Sequence, residues 1–135
     1  LPLISQIQAF FLANYFGDSK ITFSNEKNNP KSKIILRSNI EYLTDNDNNY
    51  NIIINQNSMP EMTNEIVEQY INKISKHNLN CFISFNHEAI STHFNQKQVS
   101  VNEICALNSK LNLVYRNPSF MRNGYLEEVY NIKNS

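Results

Sequence analysis

The sequence predicts an α/β domain with a mostly parallel sheet that ends in a C-terminal antiparallel hairpin. Two observations carry this. Asn51 to Asn55 holds three consecutive isoleucines without alternation, a helical stripe follows at Ile66, Val67, Tyr70, Ile71 and Ile74, and Cys81-Phe82-Ile83-Ser84-Phe85 is the next buried strand. Strand, helix and strand with short connections form a βαβ unit, whose strands must be parallel. Unalternated β-branched residues suit a strand covered on both faces. At the other end, Leu111 to Asn117 and Tyr125 to Lys133 are rich in Val, Tyr and Leu and flank Asn123-Gly124, a hairpin signal.

The remaining elements follow from local signals. Ile4, Ile7 and Phe11 recur at helical spacing and Gly17 falls at a C-cap position, which predicts a helix over about Leu3 to Phe16. Lys20 to Phe23 and Lys33 to Leu36 read as short strands, separated by a turn at Asn28, Asn29 and Pro30. A helical turn is expected at Ile40 to Leu43, and a loop at Asp45 to Asn49. Thr63 is an N-cap candidate for the central helix, and Ser100-Val101-Asn102-Glu103 has the capping-box pattern ahead of a helix through Ile104, Cys105 and Leu107.

At 135 residues the chain is one domain's worth of material, predicted to bury roughly two thirds of its unfolded surface. Twelve basic and twelve acidic residues leave no net charge, and no Lys/Arg cluster alternates with aromatics, so nucleic acid is not an expected partner. No apolar run approaches the ~20 residues of a membrane span and the start has no basic leader region, so neither a membrane nor export is expected and the location is read as cytoplasmic. Cys81 and Cys105 lack metal-site spacing and are read as small buried hydrophobes in a reducing compartment. Asparagine accounts for 24 of 135 residues, a compositional drift and not a prion-like segment, because apolar periodicity persists around it. Gly17 and Gly124 are the only glycines and both serve as punctuation, so no phosphate-cradling glycine loop is present.

The segment Asn57-Ser58-Met59-Pro60-Glu61-Met62 carries the isoleucine strand into a helix, and such turns at the carboxyl ends of α/β sheets hold binding sites. The element order resembles the C-terminal two thirds of a class I S-adenosylmethionine-dependent methyltransferase, a Rossmann-like fold. Together with Ser84-Phe85-Asn86-His87-Glu88 after the next strand and Gly124-Tyr125-Leu126-Glu127-Glu128-Val129-Tyr130 in the hairpin, that turn is similar to the sugar O-methyltransferase family. Leu1-Pro2 resembles the end of the family's second strand. The resemblance spans essentially the whole chain and implies S-adenosylmethionine as cofactor and a carbohydrate or glycan-precursor hydroxyl as substrate.

One departure matters. The family's first strand, glycine-rich loop and acidic end of the second strand have no counterpart in the sequence, and the first residue is not Met. Residues 1–135 are therefore expected to be a partial, C-terminal methyltransferase domain lacking the fold's N-terminal strands. Two alternatives stand beside it: a small flavodoxin-like interaction module that is whole as it stands, and an inactive remnant.

The resemblance also distributes roles. It sets Glu61 beside cofactor and acceptor, although a first-turn glutamate also suits the helix dipole. His87 can take a proton near neutral pH if Glu88 or Glu61 orients it. Ser38 and Asn39 occupy the strand end where the class touches adenine, and Asn57 and Ser58 would line cofactor or acceptor unless they serve as turn formers. Arg116, Arg122 and Tyr125 near the hairpin, with Glu88, are candidates to bind the sugar or an attached phosphate. No metal is expected: Asn57 and Asn86 stand where a magnesium site would want carboxylates, and adjacent Glu127 and Glu128 would point to opposite faces.

Overall fold

The computed structural model describes residues 2–23, 31–46, 50–88, 92–93 and 96–133. They belong to two compact units, Leu1–Asn46 and Asp47–Ser135.

In the first unit, α1 (Pro2–Phe16) stops at Gly17, which adopts φ +90° and donates its N–H to Ala13 O at 2.8 Å. Glycine alone takes that conformation without a Cβ penalty. Ile7 and the aromatic residues of α1 are exposed, Phe11 at 67% and Tyr15 at 84%. A 3-10 turn at Asp18–Lys20 leads into β1 (Ile21–Phe23), parallel to β2 (Ile34–Leu36) in the register Ile21↔Ile34. The turn expected at Asn28 to Pro30 lies outside the described residues. α2 (Asn39–Thr44) opens on a complete capping box: Ser38 Oγ accepts from Glu41 N at 3.2 Å while Ser38 N donates to Glu41 Oε2 at 2.6 Å. Asp45 is its C-cap and pairs with Arg37; residues 47–49 of the expected loop lie outside the described set.

The second unit holds the predicted βαβ and hairpin. β3 (Ile52–Gln56) runs parallel to β4 (Cys81–His87), with α3 (Asn64–Ile74) between them in sequence. A two-residue ladder, β5 (Thr92–His93) with β6 (Gln96–Lys97), precedes α4 (Val101–Leu107). β7 (Leu111–Pro118) and β8 (Tyr125–Ile132) form the antiparallel hairpin, with an irregularity between Leu113 and Tyr115. β8 inserts antiparallel between β4 and β7, so the strand order is β3-β4-β8-β7. β1 and β2 form a two-stranded sheet within the first unit. The chain is thus a mixed α/β fold with parallel and antiparallel sheets.

Alternation along β4 decides where the core sits. Phe82, Ser84 and Asn86 are buried, and the register sets Tyr130 and Glu128 of β8 beside Phe82 and Ser84 on the same face. Val67, Ile71 and Ile74 of α3 and Val101, Ile104 and Cys105 of α4 join Phe82 and Tyr130 in one cluster. The other face is less covered. Ile52 and Ile54 remain 52% and 64% exposed, which corrects the expectation that the isoleucine strand is covered on both sides. Ile53 packs against the core while Ile52 and Ile54 point to the opposite face, because successive strand side chains alternate.

Two capping expectations are also corrected. Ser100 Oγ accepts from Glu103 N at 3.4 Å, but no return bond from Glu103 completes a box. Thr63 occupies the N-cap without capping a backbone N–H; its side chain hydrogen-bonds Glu65 instead and holds that exposed carboxyl below its ordinary value. Among the described residues, no helix is long and apolar enough to cross a membrane. Both cysteines are free, Cys105 buried and Cys81 half-buried.

Candidate functional site

The site grows from the carboxyl ends of β3 and β4. After Gln56 the chain reverses at Asn57, whose φ of +54° is a left-handed conformation that asparagine tolerates better than most residues. Asn57 N donates to Phe85 O at 3.0 Å, extending the parallel ladder by one bond. A 3-10 turn at Met59–Glu61 follows, and buried Met59 and Pro60 anchor it to the core. Glu61, at its end, is exposed.

Asn86 fixes this turn from the neighbouring strand. Its amide donates to Asn55 Oδ1 at 2.9 Å and to Ser84 Oγ at 3.0 Å, while its carbonyl accepts from Ser58 N at 3.4 Å. Asn55 Nδ2 in turn donates to Ser58 Oγ at 2.7 Å. Sequence reasoning noticed Asn86 only as an unsuitable magnesium ligand. Its signal was a polar residue at a position whose strand partners Phe82 and Ser84 face inward.

The hairpin supplies the second wall. Tyr125 OH donates to Asn57 Oδ1 at 2.7 Å, across 68 positions of sequence. The Tyr125 ring stacks on Phe85 at 5.6 Å between centroids and meets His87 edge-on at 5.3 Å. The Arg122 guanidinium lies over the same ring, 4.3 Å from its centroid. Gly124, at φ +82°, brings backbone against His87: a Cβ there would sit 3.2 Å from Nε2. Glu88 N donates to Gly124 O at 3.0 Å, tying the turn to the end of β4.

Glu88 and Arg116 form another group on the helix-covered side. Arg116 pairs with Glu88, and its Nε donates to Glu128 Oε1 at 2.9 Å. Glu128 is only 3% exposed; its second oxygen accepts from Tyr130 OH at 3.1 Å, and Asn102 Nδ2 donates to that hydroxyl at 3.1 Å. Burial, reinforced by Cys105 and Glu128, pushes the Tyr130 hydroxyl well above the ordinary tyrosine range. Glu128 went unassigned in the sequence because an acid one residue from another in a strand gives no sign of which side is buried.

The structure therefore brings Asn57, His87, Arg122 and Tyr125 together, with Ser58 beside Asn57 in the turn. It sets Glu88 with Arg116 in a separate pair, and among the described residues no carboxylate hydrogen-bonds His87. Ser38 and Asn39 lie in the other unit, Ser38 as the cap of α2.

The polar atoms available for a nucleoside cofactor are few. Ser38 Oγ and N are committed to Glu41, Ser58 Oγ accepts from Asn55, and Asn57 Oδ1 accepts from Tyr125. The cleft bordered by Asn86, His87, Glu88, Ser100 and Asn102 encloses about 10 Å³, room for one water. A larger groove of about 270 Å³ lies between α3 and α4, lined by Glu68, Ile71, Asn72, Ile104, Leu107 and Asn108, away from the strand ends. At the strand ends of the second unit the described residues form an open polar and aromatic surface. Among them, no three His, Cys, Asp or Glu side chains cluster to hold a metal.

No family model matches the chain and no curated protein does. A search of solved structures finds the PH0226 protein from Pyrococcus horikoshii OT3, at TM-score 0.58 and 14% identity, over 96% of this chain and 78% of that one. That neighbour has a methyltransferase-like fold, and at this identity the likeness establishes a shared general fold.

Proposed function

We propose that this chain is the acceptor-side, C-terminal part of an S-adenosylmethionine-dependent O-methyltransferase that acts on a carbohydrate hydroxyl. The observation that supports it most is the convergence of Asn57, His87, Arg122 and Tyr125 where parallel β3 and β4 end beside an inserted antiparallel hairpin. Ligands of open α/β sheets sit outside the carboxyl ends of the strands. An amide, an aromatic ring and a guanidinium are the groups that a sugar's hydroxyls and apolar faces require.

The acceptor hydroxyl must lose a proton as its oxygen is alkylated. The base candidates are Glu61, exposed at the end of the turn, and His87, in contact with Gly124 and Tyr125. Glu88 is not the orienting partner, since its carboxylate goes to Arg116. The cofactor is assigned to residues beyond the described ones, in a segment preceding Leu1.

The test is methyl transfer from S-adenosylmethionine to a panel of sugars and sugar phosphates by the protein extended upstream of Leu1, with Glu61→Gln and His87→Ala made singly. Loss of the base lowers turnover by about 10²–10⁴-fold. Unchanged turnover in both variants defeats the base assignment, and no transfer to any carbohydrate defeats the reaction.

A further inference from the structure

The chain has three arginines, Arg37, Arg116 and Arg122. Two are neutralised inside the fold: Arg37 pairs with Asp45, and Arg116 with both Glu88 and Glu128. Arg122 differs. It is exposed, it makes no ion pair among the described residues, and its only recorded side-chain contact is the face of Tyr125. A guanidinium held over a ring by its charge, 4.3 Å from the centroid, does not spend its N–H donors on a carboxylate.

That ring is itself held on three sides. Phe85 stacks against it, the His87 ring meets it at a steep angle, and its hydroxyl is bonded to Asn57. The backbone adds a further constraint, because Tyr125 N donates to Arg122 O at 3.3 Å. Arg122 is thus carried on a rigid platform within the group of residues that form the candidate acceptor surface. A neutral sugar's hydroxyls can accept single hydrogen bonds from such a guanidinium, without charge assistance. Phosphate and carboxylate bind it more strongly, since their oxygens match the guanidinium edge in a bidentate pair.

We propose that Arg122 binds an anionic group, phosphate or carboxylate, carried by the acceptor sugar, and that Arg116 takes no part in this. The proposal rests on the acceptor-side reading above and narrows its substrate to anionic carbohydrates. Arg116 is excluded because two carboxylates already occupy it.

The experiment is a titration of the 135-residue chain with glucose 6-phosphate, glucuronate and glucose at low salt, following the Arg122 Nε–H and Tyr125 ring resonances by NMR. At least one anionic sugar shifts both signals to saturation and glucose does not; the glucose 6-phosphate and glucuronate arms separate the two anions. Arg122→Ala weakens the binding by at least about tenfold, Arg122→Lys weakens it less, and Lys73→Ala on α3 leaves it unchanged. The proposal is overturned if glucose binds as well as both anions, if Arg122→Ala retains the affinity, or if none of the three sugars shifts the signals. An anionic sugar that binds at Arg122 but is never methylated removes the reaction and leaves Arg122 assigned. A neutral sugar methylated equally well by Arg122→Ala removes Arg122 and leaves the reaction.

Discussion

Asn86 is 5% exposed, and its amide group donates twice and accepts once within the strand ends. An aspartate of the same shape can do none of the donating and brings a buried charge. Asn86→Asp therefore destabilises the fold by about 2–3 kcal/mol in urea unfolding, whereas a loss under 0.5 kcal/mol, about the size of a surface substitution, contradicts the network. The Arg116 pair behaves asymmetrically. Arg116→Ala strands the buried Glu128 carboxylate and costs about 2–3 kcal/mol, more than Glu128→Gln, which keeps a hydrogen-bonding side chain and leaves Glu88 to pair with Arg116.

Cys105 gives a pH signature. Burial pushes its thiol up to about 12, opposed by the Tyr130 hydrogen bond and reinforced by Glu128. Folding thus favours the protonated thiol, so its contribution is fully present below the ordinary value of 9.0 and is lost as pH rises toward about 12. The slope is about 1.4 kcal/mol per pH unit, joined by Tyr130 above its ordinary value of 10.0. Urea midpoints measured from pH 7 to 10 fall above pH 9, and Cys105→Ala flattens that limb; an equal fall in the variant contradicts the assignment.

At the scale of elements, the local signals were legible and the partnerships were not. Three isoleucines, the stripe from Ile66 to Ile74, Gly17 and Asn123-Gly124 each specify a backbone state within a few residues, and the strands, helices and hairpin form where they point. Asn57 meets Tyr125 across 68 positions and Arg116 meets Glu88 across 28, and neither contact leaves a trace in local pattern. The capping box shows the same limit. Ser38-Glu41 and Ser100-Glu103 have the same spacing, and only the first closes reciprocally. Ser38→Ala therefore costs about 1 kcal/mol of stability, read as a lower urea midpoint; an unchanged midpoint contradicts the cap. Gly124 is the hairpin's other fixed point. Gly124→Ala meets both a positive φ and the His87 ring, so it shifts the His87 resonances as well as the midpoint.

For the whole molecule, β3 pairs with β4 alone among the described residues of its unit, with Ile52 and Ile54 half to two thirds exposed, and the aromatic residues of α1 are exposed. Such surfaces lower the stability of an isolated chain and invite association. A cooperative monomeric melt above ~65 °C is not expected. The general fold was readable from sequence because a βαβ unit and a closing hairpin admit few topologies. The proposed acceptor was not, since that proposal rests on the pairing of Arg37 and Arg116 with carboxylates, which appears only in the folded chain. The central claim, that the acceptor surface lies in this chain and the cofactor is held elsewhere, is tested most directly by calorimetric titration of S-adenosylmethionine into the 135-residue chain and into the protein extended upstream of Leu1. The account predicts no measurable heat of binding for the chain alone and micromolar affinity for the extended protein. Micromolar affinity in the chain alone, or none in the extended protein, contradicts it.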